Sequence, residues 1–296
     1  MKMELKQVPV YKNHGYRACI SAAFSFFSDN IKIVLSHTWM YAAAFSLLIS
    51  VSSVLFPSSR LLYSMILENP YIVIGVAVVM LLFFVAQLVF HSSIMSLLTC
   101  RSVMWNIWRN FKAVVSVSAV VMCLSAVFTA IAFLSVRHSV DASQIYKAMF
   151  LAVGILMLLV LIFALPFVYG MMKYIMEPET KLRQMFTGFY VAGLKHWGFL
   201  FVILVTVILF VCVSSHAVML PAIIMSFAAN VSEAGVIEYG DADGLPAYFP
   251  YMFFIITFIT SFISLYINTI VIFAAYYIYG SVNVREEMTK TKNAKK

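Results

Sequence analysis

The sequence predicts an all-α integral membrane protein with six transmembrane helices arranged as three hairpins. Each hairpin is expected to follow an amphipathic helix lying on the cytoplasmic face. Three observations carry this expectation: six long charge-free stretches, a one-sided distribution of Lys and Arg, and a short motif that returns along the chain.

The charge-free stretches run over 33–59, 69–100, 113–136, 148–172, 196–232 and 244–284. A hydrocarbon core about 30 Å thick is crossed by about 20 apolar helical residues, and each stretch reaches that length. A Lys, Arg or Asp at mid-helix costs about 2.5–3.5 kcal/mol, whereas each Leu, Ile, Phe or Val contributes about 0.3–0.6 kcal/mol in favour of insertion. LAVGILMLLVLIFALPFVYG (151–170) carries the favourable residues without any such cost. Only 11% of the chain is charged and 63% is hydrophobic, against roughly 25% and 45–50% in soluble domains. No segment between the stretches is long enough to fold as a separate soluble domain. The first 32 residues are basic and interrupted, unlike a removable signal peptide, so the first span is expected to act as its own insertion signal.

Orientation follows from the cations. Seventeen of the twenty Lys and Arg fall in the N-terminal segment, the 101–112 and 173–195 loops, or the tail from Arg285 onward. The alternate loops hold Arg60, Arg137 and Lys147. This bias places both termini in the cytoplasm and requires an even number of spans. Trp39, Trp105, Trp108 and Trp197 stand beside the same boundary, where an amphipathic ring favours the headgroup level. The net charge of +8 is therefore read as attraction to anionic inner-leaflet lipid, and no nucleic-acid partner is expected.

Asn30-Ile31-Lys32, Asn110-Phe111-Lys112 and Gly193-Leu194-Lys195 enter spans 1, 3 and 5, at a spacing of about 80 residues that marks an internal repeat. Each ends an amphipathic segment. Arg17, Ser21, Ser25 and Ser28 oppose Ala23, Phe24, Phe26, Phe27 and Ile31; Ser102, Asn106, Arg109 and Asn110 oppose Met104, Ile107, Trp108 and Phe111. In the third, Lys181, Gln184, Thr187 and Gly188 oppose Met185, Phe186, Phe189 and Tyr190. Such helices lie in the interface plane, so Phe24, Phe27, Trp105, Trp108 and Phe186 are the expected lipid-interface residues. Spans 4 and 6 also end alike, with Tyr169-Gly170 and Tyr279-Gly280, each Gly followed seven residues later by a Glu, Glu177 and Glu287. The expected organisation is one transmembrane domain over 1–285, with units of about 12–100, 101–176 and 177–285, and a basic cytoplasmic tail over 286–296. In the third unit, 213–232 around Pro221 either extends span 5 or forms an outer-leaflet segment.

This layout, over roughly residues 12–285 and anchored by Asn30-Ile31-Lys32 and its repeats, resembles a group of bacterial six-span membrane proteins. They are related in layout to the membrane domain attached to some glycerophosphodiester phosphodiesterases. The resemblance implies the architecture and a bacterial inner-membrane location. No phosphodiesterase domain is present, so neither that activity nor any site residue is carried over.

Candidate chemistry is sparse. The apolar interiors lack carboxylates, which argues against an ion-coupled transporter. Thr257, Ser261, Ser264 and Asn268 form a polar stripe on span 6, echoed by Ser46, Ser50 and Ser53 on span 1. Such stripes glue helices together or line a cavity, and Ser261, Ser264 and Asn268 are the candidate ligand or pathway residues. His37, His91 and His196 near the inner boundary are the candidates for a metal, with Gln87 one turn before His91, although no HxxxH or ExxH pair occurs. Asp241-Ala242-Asp243-Gly244 reads as a solvated acidic turn lacking the later calcium ligands. Cys19, Cys100, Cys123 and Cys212 are scattered and read as buried or reduced thiols. No nucleotide, hydrolase or zincin fingerprint is present, and no cofactor is expected. The sequence thus points to a non-catalytic membrane protein that organises lipid or partner proteins, or accepts a hydrophobic ligand between its helices. The alternatives are a passive transporter or channel along the polar faces of spans 1 and 6, and a histidine-metal membrane oxygenase.

Overall fold

A chain largely deprived of water must satisfy its backbone N–H and C=O groups internally, and helices do so segment by segment. The computed structural model describes residues 9–56, 69, 71–136, 142–240 and 244–294, and these are helical throughout apart from short connections. The elements are α1 (Tyr16–Leu55), α2 (Ile72–Thr99), α3 (Val103–Val136), α4 (Ala142–Met176), α5 (Leu182–Phe186), α6 (Gly188–Lys195), α7 (Trp197–Ala234) and α8 (Phe249–Ala294). A π turn, Gly235–Tyr239, follows α7. Arg60, Arg137 and the Asp241–Asp243 turn lie outside the described residues.

Among the described residues, five helices are long and apolar enough to cross a membrane: α1, α2, α3 over Val103–Val127, α7, and α8 up to Lys292. A shorter apolar stretch, Ile162–Met176, closes α4. These helices carry many exposed apolar side chains, on α2 for example Ile74, Met80 and Leu81.

Several boundaries differ from the sequence expectation. The first two amphipathic segments are not separate helices, because α1 and α3 run through Asn30-Ile31-Lys32 and Asn110-Phe111-Lys112 without a break. Neither junction contains a Pro or Gly to end the helix. Only the third segment breaks, into α5 and α6, at Thr187 with φ −113° and ψ −97°. Residues 213–232 extend span 5, with α7 continuing through Pro221. The expected tail is helical to Ala294 as the end of α8. Three of the four cysteines, Cys100, Cys123 and Cys212, are exposed, and only Cys19 is buried.

The chain divides into two compact units. The first takes in Ser21–Val103 and Val205–Ala274; the second takes in Pro9–Ile20, Met104–Leu204 and Ala275–Lys296. In the first unit, α1 and α2 meet at His37 with Ser96 and at Phe45 with Phe83, so they run in opposite directions. Helix α8 packs on α1 through Phe26 with Phe273 and Thr38 with Tyr266, and Phe24 meets Phe210 of α7. Amphipathicity in this stretch of α1 therefore serves protein packing: Ser21, Ser25 and Ser28 are exposed, Ala23 and Phe26 are buried, and Phe24 and Phe27 are half-buried.

The second unit reverses that pattern on α3. Here Asn106 and Asn110 are buried, while Met104 and Trp108 are exposed. The same polar set includes Arg109, whose guanidinium donates to the carbonyls of Tyr174, Glu177 and Thr180 and, at 2.9 Å, to that of Pro178. It also stacks on Trp105 and Tyr174. A helix C-terminus leaves its last carbonyls without intrahelical partners, and a cation there is favoured by the helix dipole.

Pro166 inside α4 has no N–H, so the Ile162 carbonyl four residues earlier loses its helical donor. The Trp197 indole N–H donates to that oxygen at 3.1 Å. Trp197→Phe is expected to leave the carbonyl unsatisfied and to cost about 1–3 kcal/mol. Thermal unfolding in detergent tests this, because combining Trp197→Phe with Pro166→Ala, which restores the donor, should cost less than the two single changes summed.

The Tyr-Gly pairs meet in this unit. Tyr169 and Tyr279 stack with centroids 6.3 Å apart. The Tyr279 hydroxyl donates to Glu177 at 2.9 Å, and Lys173 reaches Asn283 at 2.8 Å. Gly170 lies under Met185, and Gly280 lies under the backbone of Val10. Residues 9–14 thus form a strap across α8, held also by Tyr11 on Tyr279 and by Arg285, which donates to Asn13 and to the His14 carbonyl.

Candidate functional site

The candidate ligand and pathway residues of α8 come together with His91 in a groove of the first unit, about 490 Å³ in volume. That size falls within the range of small-molecule sites, roughly 300–1,000 Å³. Its apolar walls include Phe45 and Ile49 from α1, Phe90 from α2, Met219 from α7, and Leu265 and Ile272 from α8. Helical spacing supplies the polar part: Gln87 and His91 sit one turn apart on α2, and Ser261, Ser264 and Asn268 recur along α8. No Asp, Glu, Lys or Arg is among the described lining residues.

The hydrogen bonds within the wall fix what each polar group still offers. His91 Nδ1 lies 2.8 Å from the Gln87 carbonyl, an acceptor, so Nδ1 carries the proton. The ring's other nitrogen, Nε2, is then an acceptor in the neutral imidazole. Asn268 Nδ2 donates to the Ser264 carbonyl at 2.7 Å and to Ser215 Oγ at 3.3 Å, which engages both of its N–H groups and leaves Oδ1 as a second acceptor. Ser261 and Thr269 bond back to their own helix, at the carbonyls of Thr257 and Tyr266.

The other candidates stand elsewhere. Ser46 and Ser50 are fully buried, with Ser50 donating to the Ser46 carbonyl, so the α1 stripe packs helices and does not line the groove. His37 meets Ser96 Oγ at 3.0 Å. His196, in the second unit, pairs with Glu286 at 3.1 Å. Among the described residues no group of three or more His, Cys, Asp or Glu is placed to hold a metal ion. Of the expected lipid-interface residues, Phe186 is half-buried against Phe167, Trp105 lies beneath Arg109, and Trp108 is exposed. Met219, which lines the groove, and Ser215, which accepts from Asn268, are not singled out by the sequence reading. Their spacing of four on α7 is one helical turn, the signal that would have found them.

No family model matches the chain, and no curated protein or solved structure is detectably similar to it.

Proposed function

We propose that this is a non-catalytic, polytopic membrane protein that accepts a hydrophobic ligand between α1, α2, α7 and α8. The observation that carries this reading is the groove itself, an apolar cleft with a few uncharged polar groups supplied by α2 and α8. The reading includes six crossings of a bacterial inner membrane, with both termini cytoplasmic. The five long apolar helices, the apolar close of α4 and the seventeen inner cations support it. The hydroxyls of Ser261 and Thr269 are turned onto their own helix, which favours a ligand seat over a water-filled pathway.

Ser264 is half-buried and lines the groove, so Ser264→Phe fills it with little disturbance of the packing behind. Wild-type protein purified in mild detergent should retain a bound apolar molecule at near-unit stoichiometry in native mass spectrometry. Ser264→Phe should lose that molecule and keep its unfolding temperature. Identical bound species in both proteins would remove the groove from consideration. Ready labelling of Ser264→Cys by a water-soluble maleimide would instead favour the passive pathway.

A further inference from the structure

We propose that the groove selects a neutral lipid alcohol, an amphiphile whose polar end is one or more free hydroxyl groups. This deepens the ligand reading above and rests on it. The groove's fixed hydrogen-bonding capacity is lopsided. His91 Nε2 and Asn268 Oδ1 are both acceptors, because each group's donor is already committed, to the Gln87 carbonyl and to the Ser264 carbonyl respectively. An ester, ketone or ether has only acceptors and would leave both of these unpaired in an apolar setting. A hydroxyl donates to one of them and accepts in return from the Gln87 amide or the Ser264 hydroxyl, each of which lines the groove and adapts by rotation.

Charge narrows the class further. A phosphate or carboxylate drawn into the groove would meet no cation among the described lining residues. An ion taken from water without a partner is strongly disfavoured, so phospholipid headgroups and fatty acids are rejected. The apolar walls of Phe45, Ile49, Phe90, Met219 and Leu265 suit acyl or prenyl chains. The discrimination is of the kind seen when a site built to bond a hydroxyl meets the analogue lacking it.

The test uses the full-length protein in phosphatidylcholine nanodiscs and three photoreactive probes with identical tails. One is a diacylglycerol, the second its methyl ether, and the third the corresponding phosphatidic acid. Crosslinked peptides are mapped by mass spectrometry. The diacylglycerol should label the segments around Phe90, Met219 and Leu265 about fivefold more than either analogue, the factor a single net hydrogen bond of about 1 kcal/mol supplies. His91→Phe combined with Asn268→Leu, which removes both acceptors, should erase that advantage and leave labelling by the ether unchanged. Equal labelling by all three probes, or a preference for the phosphate, overturns the hydroxyl assignment and leaves an apolar ligand site standing. Absence of labelling in these segments by any probe overturns the ligand reading together with it.

Discussion

Arg109→Ala should lower the thermal unfolding midpoint in detergent by roughly 6–12 °C, which corresponds to about 3 kcal/mol for a domain of this order of size. The guanidinium answers carbonyls at the end of α4 and in the turn after it, and both Trp105 and Tyr174 flank its plane. Alanine removes every one of these donors at once and leaves half-buried oxygens behind. Lysine keeps the charge but replaces a planar fork with a single point donor, so Arg109→Lys should recover less than half of the loss. Arg183→Ala provides the contrast. Arg183 is exposed on α5, and its removal should stay within about 0.5 kcal/mol. Similar midpoints for Arg109→Ala and Arg183→Ala would refute the role of Arg109 as the cap of α4.

The second large effect is a pair of glycine substitutions with opposite signs on one short helix. Helix propensity alone favours alanine over glycine by about 1 kcal/mol in a helix interior. At Gly193 a Cβ would stand 2.6 Å from the Pro166 carbonyl oxygen and 3.0 Å from the Pro166 Cα. Both are backbone atoms of α4 and do not swing aside, so overpacking of about 3 kcal/mol overcomes the propensity gain. Gly193→Ala is expected to destabilise by about 2 kcal/mol net. At Gly188, in the same helix, nothing lies within 4 Å of the added carbon, and alanine there should be neutral or slightly stabilising. Chemical denaturation or thermal melts of the two variants in parallel decide the matter. A stabilising Gly193→Ala would mean that α6 does not sit on α4 at this distance.

The apolar helices were legible in the sequence because the energy that dictates them is large and local. One charge at mid-bilayer outweighs several leucines, so stretches that admit none declare themselves without knowledge of their neighbours. Amphipathicity is a weaker signal, since it divides a helix into two faces without saying what covers either. Phe24, Phe26 and Phe27 read as a face for lipid, yet they meet Phe210 and Phe273. Asn106 and Asn110 read as a solvated face, yet they are buried beside Arg109. The continuous course of α1 and α3 was missed for a related reason. A motif that recurs along the sequence need not be a boundary, and only its third occurrence stands at one.

The site was half legible. Ser261, Ser264 and Asn268, and the Gln87–His91 turn, each follow helical spacing and were visible as separate polar groups. Their meeting in one groove was not, because nothing local links residue 91 to residue 268, and the choice of helical neighbours is made by packing far along the chain. The Tyr-Gly pairs show the same limit. Their recurrence was plain in the sequence, but the reason lies in what packs on them: the Val10 backbone crosses Gly280, and Met185 sits 3.3 Å from where a Cβ of residue 170 would stand.

The strap at residues 9–14 dresses a bare place on α8. Where Gly280 leaves the helix without a side chain, Val10 supplies the missing cover, and Tyr277 and Tyr279 stay wholly buried beside it. Anything that peels those few residues away, a protease or a competing extended peptide, would uncover an aromatic seam with a ready notch for another chain's backbone. Epitope tags and fusion partners are therefore better carried on the far side of Ala294 than ahead of the strap.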